Sequence, residues 1–507
     1  MWHPFKLCAG SVPRRLALVS VALFAAGLLW FVGTHCSPYA GGADSSGYLN
    51  EARLLLAGRI GYAPPQIAGL SEPGWPSVAH QPLGFVYRSD LGLMTPIYPV
   101  GLPLHLVLAA KMVGLDHAMV LVSLLCVVAA GGLSVATGRL LGLPQSWALA
   151  GGVTLLLSPL FLFMVGQPMS DALAMVWVCA ACYFSLRARD GWPWAFPAGF
   201  AVAVAVLVRP TNLLVMLPVA VALGFRWKAW LALALAGAPG AAFLAWYNLQ
   251  LYGKALTTGY GDISDALSPK YVPHNVLHFI TWLMVLLSPL VAVASFGLPG
   301  LYRRQPFVCR FLLVWVSAFV GFYVWYYCAG DAWWYLRFIL PVFPPVIFAG
   351  LLVLHHFAGE WVKTRYGRYV CALGIAAGLI WLLMWGRSLN VGDVKRGESV
   401  YPESIAWLNA NVPANAIVLE MQLSGAAVYH GSQTLVRWDK LGAEHWPQLY
   451  AAARASGRPI YAALMEFEVK EGLPGRIPGR WEKVHELRNV SFWRLVGDDL
   501  QEPGRVF

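Results

Sequence analysis

Charged residues are scarce in this sequence. Only 12% of its 507 residues are Asp, Glu, Lys or Arg, whereas hydrophobic residues make up 58%. A soluble domain carries roughly twice that share of charge, so the composition excludes an ordinary water-soluble protein. The sequence predicts a polytopic α-helical membrane protein, because its apolar runs approach the ~20 residues that a helix needs to cross the hydrocarbon core.

Signature motifs of several enzyme classes are also absent. The sequence contains no glycine-rich phosphate loop, no HExxH and no nucleophile elbow, so neither ATP-driven nor metalloprotease chemistry is indicated. The eight cysteines show no metal-binding spacing, which favours a packing role. Cys36 and Cys328 are expected near the same membrane face, so an extracytoplasmic disulfide between them is an open alternative.

The apolar runs predict eleven membrane spans. The first run follows Arg14 and Arg15 and lacks a small-residue cleavage site, so it is predicted to remain as a span. The stretch at about 96–114 is predicted to lie against the outer membrane face, because a twelfth span would invert every later loop. The spans are at about 16–34, 118–137, 147–166, 171–186, 194–208, 211–225, 229–248, 276–298, 311–328, 338–356 and 369–386.

The distribution of Lys and Arg favours this topology. With the N-terminus inside, the cytoplasmic segments hold fourteen cations, from Lys6 to Arg368, against only Asp190 and Glu360, as the positive-inside rule requires. The segment from residue 388 has 13 basic and 14 acidic residues, so the net charge of +11 lies in the membrane part and does not indicate a nucleic-acid partner. Compact loops and the lack of a eukaryotic retention signal favour a bacterial inner membrane.

Two domains are predicted. Residues 1–387 form the membrane domain, with a first outer loop at about 35–117, and residues 388–507 form a small extracytoplasmic α/β domain. In the second domain YPESIAWLNANV and HWPQLYAAARASG are typical of helices, whereas AIVLE, TLVRW and RPIYAALM are typical of short buried strands.

Ionisable residues beside predicted spans are candidates for function, because a charge at membrane depth is costly. The middles of the spans are almost free of charge, so the sequence indicates a site at the bilayer surface and not a polar path across it. Four such residues are predicted at the outer face: Asp44 in GGADSSGYLNEARLLLAGR, Asp171 in GQPMSDALAM, Arg209 in AVLVRPTNLL and Arg337 in AGDAWWYLRFILPVFPP.

Each of the four also has a purely structural interpretation. Asp44 and Asp171 could cap helices, Arg209 could bind carbonyls freed by Pro210, and Arg337 could extend to lipid headgroups. For Asp44, capping and chemistry are compatible, since an amphipathic helix resting on the bilayer would hold its first residue at headgroup depth. The apolar face expected to rest on the bilayer consists of Leu49, Ala52, Leu55 and Leu56.

Two arginines and two carboxylates on one membrane face suit a particular chemistry. Arginines bind phosphate through paired hydrogen bonds and stabilise it as it leaves. A carboxylate can remove the proton from an acceptor hydroxyl. If the substrate is a lipid-linked sugar with a phosphate at headgroup depth, the arginines can bind that phosphate and a carboxylate can activate the acceptor.

These motifs, in this order, resemble the GT-C superfamily of membrane glycosyltransferases, in particular the branch of the protein O-mannosyltransferases and the lipid A aminoarabinose transferase. ADSSGYLNEARLLLAGR is similar to the acidic first-loop motif, IYPVGLPL to the helix that follows along the membrane, and QPMSDALA to the second-loop acidic position. VLVRPTNLLVMLP, NLQLYGKALTTGYGD and YLRFILPVFPP are similar to the later basic and outer-loop motifs. The resemblance covers about residues 14–356.

The resemblance implies an EC 2.4 glycosyltransferase that moves a sugar from a polyprenyl-phosphate donor to an envelope acceptor, which is a lipid, a glycan or a protein. Transfer on the extracytoplasmic face with inversion at the anomeric carbon is implied. In that mapping Asp44 is the base, Asp171 orients the acceptor or the base, and Arg209 and Arg337 bind the donor phosphate. Tyr48, Trp333, Trp334 and Tyr335 are candidates for sugar or acceptor contacts, although an interface belt is favoured slightly for the last three.

No cofactor is assigned by the resemblance. A divalent ion held by Asp44 and Asp171 is an open alternative, since carboxylate oxygens suit a hard cation. However, Ser45 follows Asp44 where protein O-mannosyltransferases carry a second acid, which argues against a two-carboxylate metal site in that loop.

Two other functions stay open. A transporter or flippase for a lipid-linked glycan would show interrupted helices in both halves of an internal repeat, but the sequence has one interruption, at Arg209 and Pro210, and no repeat. A non-catalytic envelope assembly protein would bind a partner through its C-terminal domain. In that case Trp333, Trp334 and Tyr335 would form an aromatic belt at the membrane interface.

Overall fold

The structure is a computed structural model that describes residues 14–72, 74–261, 264–473, 475–497 and 505–506. It is mostly helical, and its C-terminal part contains a sheet, as the sequence predicts. Lys6, which the topology prediction counts as cytoplasmic, lies outside the described residues.

Helices dominate the part before residue 389, which also contains a small antiparallel hairpin, β1 (Phe85–Arg88) and β2 (Leu93–Pro96). Two 3-10 helices, Pro210–Val215 and Trp333–Val342, precede α9 and α14. The α-helices are α1 (Arg14–His35), α2 (Ala43–Leu56), α3 (Gly101–Val113), α4 (Leu115–Leu140), α5 (Gln145–Leu157), α6 (Pro159–Val165), α7 (Asp171–Arg187), α8 (Ala195–Val208), α9 (Met216–Leu223), α10 (Trp227–Tyr252), α11 (Val272–Leu287), α12 (Leu290–Arg304), α13 (Pro306–Tyr323), α14 (Phe343–Ala358) and α15 (Arg365–Ser388).

Several of these helices can cross a membrane, which makes the chain a multi-pass membrane protein. Five helical segments in the described ranges are long and apolar enough, and two bent helix pairs raise the number to seven. Four shorter apolar segments accompany them: Val19–His35, Gly101–Val113, Trp192–Val208 and Pro210–Leu223. The count of eleven spans therefore stays a prediction.

Two predicted spans are not single helices. The run at 276–298 is divided between α11 and α12, and the two axes meet at 106°. The break follows from Ser288, which adopts a left-handed φ of 65°, and from Pro289, which cannot continue a helix. The run at 147–166 bends by 58°, where Ser158 caps α6 and Pro159 occupies its first turn.

The C-terminal part folds as a six-stranded sheet with helices. All five of the helices and strands predicted there from sequence are found. Strand β3 lies between β4 and β5 and is parallel to both, while β5 and β7 are antiparallel. Its extracytoplasmic position stays a prediction. The elements are α16 (Val394–Glu398), α17 (Val400–Asn411), β3 (Ile417–Glu420), α18 (Ser424–His430), β4 (Thr434–Arg437), α19 (His445–Ala455), β5 (Ile460–Met465), α20 (Glu466–Gly472), β6 (Arg480–Leu487), β7 (Val490–Gly497) and β8 (Arg505–Val506).

The first outer loop packs directly on this sheet domain. Ile67 and Trp75 from the loop belong to the same buried cluster as Trp438 and Trp446. A ring nitrogen of His80, Nδ1, lies 2.7 Å from the Leu435 carbonyl of β4. The loop and the C-terminal domain therefore form a continuous layer beside the helical part.

Helix α2 lies inside that layer, and the prediction that its apolar face rests on the bilayer is wrong. Leu49 and Ala52 are buried, because α3 and α18 pack against α2. Asn50 Nδ2 donates to the Gly425 carbonyl at 2.9 Å, and Arg53 donates to the Val428 carbonyl at 2.7 Å. Of the four predicted lipid-facing residues, Leu55 is only partly buried and Leu56 is exposed.

The disulfide between Cys36 and Cys328 is not formed, since both cysteines are free. The Cys36 thiol instead lies 3.3 Å from the Ser123 hydroxyl of α4. The thiol thus takes part in packing between α1 and α4.

Candidate functional site

Asp44 lies in the first turn of α2 but does not cap it. The N-cap residue is Gly42, and no side chain makes a capping hydrogen bond there. Asp44 Oδ2 instead accepts a hydrogen bond from Arg337 Nη1 at 2.8 Å. The capping interpretation of Asp44 is therefore wrong, because the carboxylate turns to a cation that is far away in sequence.

Asp171 and Arg209 form a second ion pair. Asp171 begins α7 after Ser170 without capping it. Arg209 ends α8 in an extended conformation, the conformation that a following proline imposes. Arg209 Nη1 lies 2.9 Å from Asp171 Oδ1. Both structural interpretations, a cap at Asp171 and carbonyl binding by Arg209, are therefore replaced by a charge pair.

The aromatic ring of Phe338 brings the two ion pairs together. The guanidinium of Arg337 lies 5.3 Å from the centre of this ring, and that of Arg209 lies 5.5 Å from it. Arg337 belongs to the 3-10 helix before α14 and does not extend to lipid headgroups. The four charged residues predicted from sequence thus form one cluster, which we call the charged site: Asp44, Asp171, Arg209 and Arg337.

The exposure of the two carboxylates differs sharply. The Asp44 side chain is 27% exposed, whereas that of Asp171 is fully buried. Neither Asp171 oxygen accepts a well-aligned hydrogen bond from a residue that the structure describes. A buried charge of this kind is retained only if it is paired, so Asp171 depends on Arg209. Asp44 is therefore the more accessible of the two carboxylates.

One nitrogen of Arg337 has no hydrogen-bond partner among the described residues. Its Nε is buried and makes no hydrogen bond to any described residue, although Nη1 donates to Asp44. A buried donor without an acceptor costs free energy. Arg337 thus offers a desolvated N–H group to an anion that enters the charged site.

Ser170 connects the charged site to α2. Its hydroxyl oxygen accepts hydrogen bonds from the Tyr48 hydroxyl at 2.9 Å and from Arg209 Nε at 3.2 Å. The hydroxyl of Tyr48, expected to contact sugar or acceptor, is therefore engaged in positioning Arg209. Sequence reasoning missed Ser170, even though it immediately precedes Asp171.

Further tyrosines line the charged site and were also missed. The ring of Tyr98 lies 5.0 Å from that of Tyr48 and 6.0 Å from that of Tyr260, and Tyr323 stacks on Phe338 at 5.3 Å. Burial and the Asp44 carboxylate raise the pKa of Tyr98, so its hydroxyl stays neutral. Tyr98 lies within the IYPVGLPL motif, which is the one sequence signal that could have indicated it.

The aromatic cluster at 333–335 divides between two environments. Tyr335 lies near the charged site, with the Arg337 guanidinium 5.5 Å from its ring centre. Trp333 packs against Phe163 at 5.0 Å. Trp334 is 42% exposed. Only Tyr335 is therefore placed beside the charged residues, and sugar contacts by any of the three stay a prediction.

The charged site does not fit a metal ion held jointly by Asp44 and Asp171. Each carboxylate has a guanidinium within 2.9 Å, and those two positive charges oppose a further cation. Within the described ranges, no group of three or more His, Cys, Asp or Glu could hold a metal ion. We therefore derive no chemical step through a metal.

This chain is similar to known proteins in its fold but not in its sequence. Neither protein-family models nor curated protein sequences match this chain. Solved structures do match over nearly its whole length. ArnT from Cupriavidus metallidurans, bound to undecaprenyl phosphate, has a TM-score of 0.56 and 14% identity, over 96% of this chain and 100% of its own.

Two other solved structures support the same fold. Arabinofuranosyltransferase AftD from Mycobacteria has a TM-score of 0.54 and 14% identity over 97% of this chain, which spans 42% of AftD. Oligosaccharyltransferase AglB from Archaeoglobus fulgidus, in complex with an inhibitory peptide and a dolichol-phosphate, has a TM-score of 0.53 and 12% identity, over 90% of this chain and 70% of AglB. All three neighbours are GT-C superfamily membrane glycosyltransferases, so the resemblance stated from sequence is confirmed at the level of the fold.

Proposed function

We propose that this protein is a glycosyltransferase that moves a sugar from a polyprenyl-phosphate donor to a cell-envelope acceptor. The observation that carries the proposal is the charged site, in which two arginines and two carboxylates meet around Phe338. ArnT with bound undecaprenyl phosphate and AglB with a bound dolichol-phosphate support the choice of donor. Both of those ligands carry a phosphate on a long lipid.

The two arginines bind the donor phosphate in this proposal. The buried Nε of Arg337, which has no partner among the described residues, donates to one phosphate oxygen. Arg209 supplies a second positive charge, 5.5 Å from the centre of the Phe338 ring that Arg337 also contacts. Guanidinium groups bind phosphate more tightly as its charge grows. They therefore stabilise the polyprenyl phosphate as the bond to the sugar breaks.

Asp44 acts as the general base. Its partial exposure allows an acceptor hydroxyl to approach, whereas the fully buried Asp171 holds Arg209 in position. The hydroxyl loses its proton to Asp44 and attacks the anomeric carbon from the side opposite the phosphate. Such a direct displacement inverts the configuration at that carbon, which belongs to EC 2.4 chemistry.

The proposal puts this reaction on the extracytoplasmic side of a bacterial inner membrane. The excess of Lys and Arg in the segments on the other side supports that orientation. The C-terminal domain then lies on the same side as the charged site, where α2 contacts both.

Asp44→Asn tests the catalytic role. Purified protein is mixed with a radiolabelled polyprenyl-phosphate sugar and a cell-envelope extract, and the released polyprenyl phosphate is measured. We expect the variant to be slower by roughly 10²–10⁴-fold, the usual contribution of a general base. The amide keeps the size of the side chain but cannot accept the proton.

Asp90→Asn is the matched control. Asp90 also lies in the first outer loop and also pairs with an arginine, Arg88, at 2.6 Å, but it is exposed and outside the charged site. The control should release polyprenyl phosphate at the wild-type rate. Equal release by the wild type and Asp44→Asn would show that Asp44 is not the base.

A further inference from the structure

A cavity lies between the membrane helices, far from the charged site. We call it the lipid groove. It has a volume of about 760 Å³ and runs between α1, α4 and α5, within the range of ~300–1,000 Å³ typical of ligand pockets. Most of its walls are apolar, as at Phe24, Val128 and Val153. Such walls, at membrane depth, suit acyl chains.

One end of the lipid groove is basic. Arg139 and Arg187, from the last turns of α4 and α7, line that end. Asp171 and Arg187 are sixteen residues apart on α7, which corresponds to about 24 Å at 1.5 Å per residue. The basic end therefore lies on the opposite side of the helical layer from the charged site.

Both arginines have hydrogen-bonding capacity for an anion. Arg139 uses Nη1 to donate to the Leu143 carbonyl at 2.8 Å, which is one of five guanidinium N–H groups. Arg187 Nε is buried and makes no hydrogen bond to a described residue. The nearest carboxylate, Asp190 Oδ2, is 3.6 Å from that nitrogen and is largely exposed. Arg187 is thus ion-paired with Asp190, and its guanidinium lies 4.7 Å from the centre of the Trp194 ring. Arg139, Arg187 and Asp190 together still carry a net positive charge at this end of the groove.

We propose that the lipid groove binds one anionic diacyl phospholipid, with its chains between α1, α4 and α5 and its phosphate at Arg139 and Arg187. Basic pockets between membrane helices recognise anionic headgroups in this way. We choose a structural phospholipid over the polyprenyl donor because the basic end faces away from the charged site. This inference does not depend on the proposed glycosyltransferase activity.

Lipid retention measures this site directly. The full-length protein is reconstituted in nanodiscs with equal amounts of phosphatidylglycerol and phosphatidylcholine, released into mild detergent, and weighed with its bound lipids by native mass spectrometry. We expect one retained phosphatidylglycerol per chain, enriched about thirtyfold over phosphatidylcholine, the ratio that two cations near a membrane surface provide. The double variant Arg139→Gln with Arg187→Gln should lose this enrichment.

Gly132→Leu tests the apolar part without altering charge. Gly132 lines the lipid groove, and a Cβ there would meet no atom within 4 Å, so a larger side chain at this position begins in open space of the groove. This variant should lose the retained lipid. Gly27→Leu on α1 is its control, since Gly27 is equally unobstructed but does not line the groove.

A matched charge control completes the experiment. Arg303 and Arg304 are exposed arginines at the end of α12 and do not line the lipid groove. Their double change to Gln should leave the retained phosphatidylglycerol intact. Equal retention of the two phospholipids by the wild type, or full retention by Gly132→Leu, would show that the retained lipid is non-specific boundary lipid, and the proposed site would be wrong. Displacement of phosphatidylglycerol by added undecaprenyl phosphate would overturn the choice of lipid.

Discussion

Replacing Glu51 with Gln should reduce the pH dependence of stability. Glu51 lies on α2 two turns after Asp44 and is buried. Its Oε1 accepts a hydrogen bond from the Tyr247 hydroxyl of α10 at 2.7 Å, and Oε2 has no partner among the described residues. Burial raises the pKa of Glu51 from 4.5 to about 8, so the carboxyl is protonated in the folded protein at neutral pH.

The size of the effect follows from this pKa difference. Between pH 4.5 and about 8 the folded protein keeps a proton that the unfolded chain releases, so the free energy of unfolding falls as pH rises. At about 1.4 kcal/mol per unit, the loss over this window is about 5 kcal/mol. Glutamine resembles the protonated acid and does not titrate, so Glu51→Gln should be as stable as the wild type at pH 5 and more stable at pH 8.

Thermal unfolding in detergent, followed by tryptophan fluorescence from pH 5 to 8.5, measures this difference. The Tm of the wild type should fall through the window, and the Tm of Glu51→Gln should fall less. Some decline will remain, because burial also raises the pKa of Glu398, to about 7, and the pKa values of Glu420 and Glu468. Glu72→Gln, at an exposed position of the same loop, should follow the wild type. Parallel curves for the wild type and Glu51→Gln would refute the assignment of a buried, protonated carboxyl.

Two further predictions concern the charged site and the contact of α2 with the C-terminal domain. Arg337→Lys keeps the charge but lacks Nε, so kcat/KM for the lipid-linked sugar should fall roughly ten- to hundredfold, the range for a hydrogen bond to a charged group. The control Arg88→Lys should leave kcat/KM unchanged. An unchanged kcat/KM in Arg337→Lys would exclude a role for Nε. Gly425→Ala would place a Cβ against the Ser46 side chain of α2 and should weaken the contact between α18 and α2. Limited proteolysis should then cleave around α18 faster than in the wild type. Equal cleavage rates would contradict a tight contact there.

Local sequence patterns predict elements well where burial is uniform or strictly periodic. Strand β3 (Ile417–Glu420) is buried along its whole length, and a short apolar run between turns indicates it correctly. Strand β6 (Arg480–Leu487) was missed because most of its residues face solvent or are only half-buried. Its alternation is therefore hidden among charged residues, and only its pairing with β7 defines it as a strand.

The residues of the charged site were predictable singly, but their pairing was not. A carboxylate or guanidinium beside an apolar run stands out in any membrane sequence. However, Asp44 and Arg337 are 293 residues apart, and local reasoning offers Asp44 only a nearby helix N-terminus. A full positive charge in a poorly solvated site attracts the carboxylate more strongly than the partial charges on backbone N–H groups at a helix N-terminus. At Asp171 the partner is likewise a guanidinium, that of Arg209, and not the N-terminus of α7.

The arrangement of charges couples the two halves of the proposed reaction. Without substrate, the two carboxylates balance the two guanidiniums, so the site is close to neutral. During transfer the phosphate passes from a diester with one negative charge toward a monoester with about two, while Asp44 takes up the acceptor proton and loses its charge. Arg337 therefore gives up its counterion at the moment when the leaving phosphate gains charge. Its attraction to the donor is then greater in the transition state than in the ground state, which is the condition for an interaction to accelerate a reaction.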